Sequence, residues 1–291
     1  MTISTNGTVS RAEPPGPGTV AVDSRVHVSQ GRPIIEINQV DVVFRGPGGA
    51  HHTAVADASL RVEAGSFVCL VGPSGCGKST LLNSIAGRIQ PTKGQVLYDG
   101  APVRGLNRRT GYITQEDNLL PWRTVAKNVG VALELRGVSR TERAERVAAI
   151  LEKVGLSKFA NHYPSQLSGG MRKRAALART LVYDPETLLM DEPFGAVDAQ
   201  LRASLQQELL GMWSRRDAET TVVFVTHDLA EALLLADTIY VFASNPGRVI
   251  HREDVTWDRP RDLIQLRTQP AFGEKWRQLW DLLRDEREED A

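Results

Sequence analysis

The 291 residues divide their charge evenly, with 35 lysines and arginines against 35 aspartates and glutamates, so no global field steers the chain onto nucleic acid or anionic lipid. The two cysteines, Cys69 in the apolar run Phe67–Val71 and Cys76 in a glycine-rich loop, have neither the spacing nor the context of a disulfide framework or metal knuckle, which fits a reducing compartment. No stretch approaches the roughly 18 uninterrupted apolar residues of a spanning helix, and the polar N-terminus lacks a hydrophobic signal region, so the expectation is a soluble chain that reaches a membrane only through a partner.

Residues 1–32 are rich in Pro, Gly, Ser and Thr without helix or strand periodicity and read as a disordered leader outside the fold. From residue 34 the pattern becomes β-rich: 34–37, 40–44 and 58–62 predict antiparallel strands beside the main core, with the Gly-Pro-Gly-Gly run at 46–49 as punctuation. Residues 67–71 form a short apolar run that stops at Gly72, and 80–86 read as a helix. Ser139 and Glu142 form a capping box ahead of apolar positions at helical spacing, Ala144, Val147, Ala148, Leu151 and Val154. The runs 188–190 and 222–225 suit buried parallel strands, making the fold class α/β. Residues 260–291, with Trp276, Leu279, Trp280, Leu282 and Leu283 before a charged tail, predict a C-terminal helix that packs back or meets a partner.

Gly72, Pro73, Ser74, Gly75, Cys76, Gly77, Lys78 and Ser79 match G-x-x-x-x-G-K-[ST], and a strand before and a helix after supply the context this pattern needs. Glycines let backbone N–H groups turn inward around phosphate oxygens, and the helix amino end adds positive potential. Lys78 neutralises the outer phosphates, Ser79 is a Mg²⁺ ligand, and Thr80 adds a further phosphate contact. Alone, the motif announces only a bound nucleoside triphosphate.

Asp191 and Glu192 follow an apolar strand directly, at the edge where ligands bind in open α/β sheets. By position, Asp191 holds Mg²⁺ and Glu192 orients and deprotonates the water that attacks the γ-phosphorus. His227, after the run 222–225, stands at a second strand end, within reach of the γ-phosphate or the attacking water; taken alone it is as consistent with packing. Gln115, in Gly-Tyr-Ile-Thr-Gln, gains meaning only from its place in the order of motifs.

The run Leu167, Ser168, Gly169, Gly170, Met171 resembles the LSGGQ signature of ABC ATPases, over about residues 34–250. The resemblance implies a P-loop ATPase core at 33–250 with an antiparallel β subdomain and an inserted helical signature subdomain at about 116–175, then a C-terminal helical extension at 251–291. It makes Gln115 the Q-loop residue and a metal contact, Asp191 and Glu192 the Walker B pair, Ala196, Val197 and Asp198 the D-loop, and His227 the switch histidine. Phe44 is similar to the adenine-stacking aromatic, with His51 and His52 as competitors. Ser168, Gly169 and Gly170 are then implied to aim a helix amino end at ATP held by a second copy, with Asp198 beside it. Met171 and Lys173 depart from the common signature without removing a phosphate ligand.

Two segments, 118–125 and 190–198, are similar to the nitrate, sulfonate and taurine importer ATPases, and so is 242–249, with its Asn-Pro-Gly-Arg turn at 245–248. That likeness implies partners: a second copy, permease subunits, and indirectly an extracytoplasmic solute-binding protein, at the cytoplasmic face of the cell membrane. The run Leu119, Leu120, Pro121, Trp122 suits a permease-docking surface, although Trp122 buried in the helical subdomain is an equal reading. Competing readings are another ABC transporter ATPase, such as one for lipid, a soluble ABC protein acting on nucleic acid, and a P-loop kinase. The balanced charge and absence of long heptads argue against nucleic acid as a partner, and a kinase leaves residues 168–170 unexplained.

Overall fold

A computed structural model describes residues 33–46, 49–195, 197–214 and 220–289; the leader, 1–32, and Ala196 lie outside them. The chain opens with β1 (Pro33–Arg45) and β2 (His51–Glu63), then β3 (Phe67–Val71) and α1 (Lys78–Ile85), then β4 (Lys93–Tyr98) and β5 (Ala101–Pro102). Strands β1, β2, β4 and β5 form an antiparallel sheet in the order β2-β1-β4-β5. The separate runs 34–37 and 40–44 are one strand. At Gln39 the backbone takes φ 49° and the register with β2 shifts between Ile37 and Val40. This bulge moves the buried positions from Ile35 and Ile37 to Val40 and Val42, so both runs face the same core despite their different parity.

After β6 (Thr110–Ile113) come four helices, α2 (Val125–Val129), α3 (Val131–Leu135), α4 (Arg140–Lys153) and α5 (Gly169–Leu181). The capping box at α4 is realised as a serine cap: Ser139 Oγ accepts from the Glu142 N–H at 3.3 Å, while the Glu142 carboxylate turns to Arg146 at 2.6 Å. The chain then alternates β7 (Thr187–Asp191), α6 (Ala199–Ser214), β8 (Thr221–Thr226), α7 (Leu229–Leu235), β9 (Thr238–Ala243) and β10 (Arg248–Asp254), and ends in α8 (Leu263–Arg267) and α9 (Pro270–Glu289).

The second sheet runs β10-β9-β3-β8-β7-β6. All its neighbouring pairs are parallel except the edge strand β10 on β9. Strands β3 and β8 are buried along their whole length, as central strands covered on both faces must be. Alternate residues feed two cores. Val68, Leu70, Val223 and Val225 pack with α1 and the antiparallel sheet, while Phe67, Cys69, Val222 and Phe224 pack with the helices of the opposite face.

The expected C-terminal helix is two helices, and the longer one is docked. Phe272 and Leu279 of α9 are buried against the helix-covered core, Arg248 pairs with Glu286 at 2.6 Å, and Lys275 pairs with Glu253 at 2.8 Å. No helix among the described residues is long and apolar enough to cross a membrane.

Candidate functional site: a phosphate loop beside two strand-end carboxylates

Four adjacent parallel strands, β6, β7, β8 and β3, end on one edge of the sheet, because Ile113 pairs with Met190, Asp191 with Val225, and Val71 with Thr226. That edge carries the loop 72–77, Gln115, Asp191, Glu192 and His227 within a few residues of the strand ends.

The loop after β3 turns into α1 at Gly77, whose φ is 88° and where an added Cβ would lie 2.4 Å from the Ala54 carbonyl oxygen. Only glycine meets both demands. Gly77 provides no side-chain cap for α1, which leaves the N–H groups at the amino end of the helix open to an anion. Lys78 is nearly fully buried and its Nζ donates to the carbonyls of Gly72 at 2.9 Å and Pro73 at 2.7 Å, so the ammonium sits at the centre of the loop. Support comes from the turn at 245–248, since an added Cβ at Gly247 would lie 2.0 Å from the Cys76 carbonyl oxygen. That contact between the turn and the phosphate loop is visible only in the tertiary structure.

Ser79 Oγ donates to Asp191 Oδ1 at 2.7 Å and the Tyr112 hydroxyl donates to Asp191 Oδ2 at 3.3 Å. Burial, and then the Asp191 charge, push the Tyr112 phenol above its ordinary range, which keeps it a proton donor to that carboxylate. A hydroxyl and a carboxylate oxygen in such proximity are hard oxygen donors of the kind Mg²⁺ takes, few in number, with water and phosphate completing its shell. Sequence reading misses Tyr112, which is visible only once β6 and β7 are paired.

Glu192 follows Asp191 with φ 45°, a left-handed conformation uncommon for a non-glycine residue and often kept at functional sites. Its N–H donates to the Val225 carbonyl at 3.0 Å, and its Oε2 lies 3.0 Å from His227 Nδ1. The Gln115 amide nitrogen and Glu192 Oε2 come within 3.3 and 3.5 Å of where a Cβ on Gly195 would stand, which joins Gln115 to the group. His227 is steadied from behind. Asp228 caps α7 by accepting from the N–H groups of Ala230 at 2.9 Å and Glu231 at 3.2 Å. Buried Glu231 accepts from Gln206 Nε2 at 2.8 Å and from the Thr226 hydroxyl, and burial raises its pKa.

A cavity of about 250 Å³ joins Ser74, Gly77, Lys78 and Glu192 to Phe44 and His52. Phe44 and His52 are directly opposed across β1 and β2, whereas His51 opposes Arg45. Phe44, 41% exposed, thus presents an open ring at the mouth, with His52 beside it.

Ser168 caps α5, its Oγ accepting from the Met171 N–H at 3.3 Å, and Ser168 and Gly169 are exposed. Gly170 is packed on Leu201, where an added Cβ would come within 2.8 Å. Asp198 caps α6 by accepting from the Leu201 N–H at 2.9 Å. None of Ser168, Gly169, Gly170 and Asp198 lines the cavity at the phosphate loop. A basic face of α5 holds residues 115–118 instead: Lys173 Nζ donates to the Gln115 carbonyl, Arg179 to the carbonyls of Asn118 at 2.6 Å and Asp117 at 2.9 Å, and Arg172 to the Asp117 carboxylate at 3.1 Å. In the run that follows, Leu119 is buried and Trp122 is 71% exposed.

A glycine-rich loop closed around a buried lysine, beside a hydroxyl-carboxylate pair and a Glu-His pair, is the arrangement of a P-loop nucleoside triphosphatase. The ABC transporter family model matches residues 55–195. An uncharacterized ABC transporter ATP-binding protein of Methanocaldococcus jannaschii is 46% identical over 80% of this chain and 85% of its own length. The nitrate import ATP-binding protein NrtD of a Synechocystis species is 38% identical over 88% of this chain and 97% of its own, and the taurine import ATP-binding protein TauB of Yersinia pestis is 44% identical over 68% and 77%. Among solved structures, a dimeric ATP-binding cassette in a post-hydrolysis state bound to ADP and Pi aligns with a TM-score of 0.67 and 32% identity, over 77% of this chain and all of that one. The chain belongs to the ABC transporter ATP-binding family and is an ABC ATPase that binds and hydrolyses ATP.

Proposed function

We propose that this ATPase powers an importer for a small oxyanion-type solute such as nitrate, a sulfonate or taurine, working as a pair of identical subunits on permease subunits at the cytoplasmic face of the membrane and served by an extracytoplasmic solute-binding protein. The observation that carries this reading is the separation within one chain of the phosphate loop from the exposed Ser168 and Gly169, which do not line the cavity at that loop; in this reading they are two halves of one anion site, joined when two copies meet head to tail. The import ATPases among the relatives support the transport assignment, and exposed Trp122 is suited to receive a permease helix.

In this reading the adenine stacks on Phe44, with His52 at its edge. The phosphates lie in the loop Gly72, Pro73, Ser74, Gly75, Cys76 and Gly77, held by Lys78, Ser79 and Thr80. Ser79, Asp191 and Gln115 would hold Mg²⁺, which would supply charge neutralisation to the phosphates. Glu192 takes a proton from the attacking water as its oxygen bonds to the γ-phosphorus and the bond to the bridging oxygen breaks, releasing ADP. His227 orients Glu192 and that water. Ser168, Gly169 and Gly170 of the second copy aim the amino end of α5 at the γ-phosphate, with Asp198 of that copy alongside.

Glu192→Gln keeps the shape and removes the base. Turnover is expected to fall by about 10²–10⁴ while ATP still binds, and the variant should run as an ATP-dependent dimer in size-exclusion chromatography; normal turnover would remove Glu192 from its role. For coupling, the chain co-expressed with a nitrate- or taurine-type permease should show ATP turnover stimulated by the loaded binding protein, and indifference to both would sink the importer reading.

A further inference from the structure

Beside the ATP cavity lies a larger one, whose α9 wall the proposed mechanism does not use. Its volume is about 400 Å³, within the range of small-molecule sites, and of the residues lining the ATP cavity it shares only Ser74. One wall is α9, where Trp276 and Trp280 stack with ring centroids 5.3 Å apart and planes 13° from parallel. Leu283 and Leu229 extend the apolar lining, and the facing wall is made by Gly72, Pro73 and His227. Trp280 stays 47% exposed, so a large apolar surface is held open beside the phosphate loop rather than packed away.

The cavity lining holds one carboxylate, Asp228, and one guanidinium, Arg284, each with an ion-pair partner of its own, and the guanidinium, with five N–H groups, keeps the donor capacity to bind an acid as well. The Asp228 carboxylate caps α7 and pairs with Arg202 at 3.5 Å, which offsets its charge. Arg284, also paired across one helical turn with Asp281, brings a guanidinium to the rim, while the His227 imidazole beside it is already in contact with Glu192. A stacked indole pair accepts a further planar ring on its open face, and a guanidinium at the edge accepts a carboxylate or sulfonate.

We propose that this cavity is a second binding site for a planar aromatic acid, and that its ligand regulates the ATPase. The regulatory half rests on the ATPase mechanism proposed above; the binding half does not. A ring seated between α9 and the segments carrying Ser74 and His227 contacts both groups that must adjust to ATP, so occupancy opposes the ATP-bound arrangement, and ATP opposes occupancy by the same factor.

The probe is 8-anilinonaphthalene-1-sulfonate, titrated into the full-length nucleotide-free protein. Saturable binding of one probe per chain is expected, with energy transfer from the indoles quenching tryptophan emission. Trp280→Ala is expected to weaken it about fivefold to tenfold, as loss of an aromatic stack does, and Arg284→Gln, at a more exposed position, about threefold. Trp122→Ala, at the other exposed tryptophan, leaves the affinity as it is. N-phenyl-1-naphthylamine, which has the rings without the sulfonate, should bind several-fold more weakly than the sulfonate. Equal binding by the wild type, Trp280→Ala and Arg284→Gln overturns the site, and equal binding of the two probes overturns its preference for an acid. Saturating probe should lower ATP turnover in the wild type and have less effect on Trp280→Ala. Specific binding without that inhibition overturns the regulation and leaves the site standing, whereas a wild type with no turnover at all counts against the ATPase mechanism and not against the site.

Discussion

Asp191 and Glu192 are chemically similar and adjacent in sequence, yet they stand in different surroundings. Asp191 ends β7 in ladder register, where the hydroxyls of Ser79 and Tyr112 donate to its two oxygens. The left-handed turn at Glu192 carries the next carboxylate away from that pair and against His227. Tyr112 tests the first arrangement. If Asp191 is a metal contact, Tyr112→Phe removes an orienting donor, and the Mg²⁺ concentration for half-maximal turnover is expected to rise about tenfold, the low end of the effect for groups behind a metal ligand; Mg²⁺ titration of phosphate release measures it. Glu231 behind His227 tests the local burial. With its pKa raised above the ordinary 4.5, the native state keeps a proton that the unfolded chain has already lost. The resulting stability is present below pH 4.5 and is lost as pH rises through the higher folded value. Glu231→Gln, which has no proton to lose, should flatten that decline, and urea unfolding at a series of pH values from 4.5 to neutrality would read the difference in slope.

Among the elements, those legible from sequence are the ones whose pattern is local. The runs behind β3, β7 and β8 are apolar because both faces of each strand are covered, and Ser139 and Ser168 mark helix starts by side-chain chemistry that acts within one turn. Strand β1 is misread as two because the bulge at Gln39 breaks the alternation that defines a strand. The support given by the turn at 245–248 to the phosphate loop spans about 170 residues of chain and leaves only a glycine as its trace. Gly247→Ala would drive a methyl group into the Cys76 carbonyl, so ATP affinity in a binding titration is expected to fall about tenfold or more, since the loop must shift to relieve an overlap that no side-chain rotation can remove. Retained affinity would show the loop to be independent of that turn.

At the scale of the whole molecule, α5, which Ser168 caps, is tied to residues 115–117 by Lys173, Arg172 and Arg179. With two copies arranged head to tail, a Lys78→Ala chain and a Ser168→Arg chain should each be inactive alone, yet their mixture should recover about a quarter of wild-type turnover, because random pairing makes half the dimers mixed and leaves each of those one intact site of two. No recovery in a mixture shown to exchange subunits would mean that both groups serve the same chain's ATP. The sequence by itself determined the family and the chemistry, since a phosphate loop, a strand-end carboxylate pair and a capped glycine pair are each specified by residues close in the chain. Tertiary structure alone decided that Tyr112 donates to Asp191, that Gly247 underlies the loop, that α5 grips residues 115–118, and that the tryptophans of α9 open a second cavity beside Ser74. Those relations join residues far apart in sequence, and only strand pairing and helix packing bring them within the few ångströms over which hydrogen bonds and van der Waals contacts act.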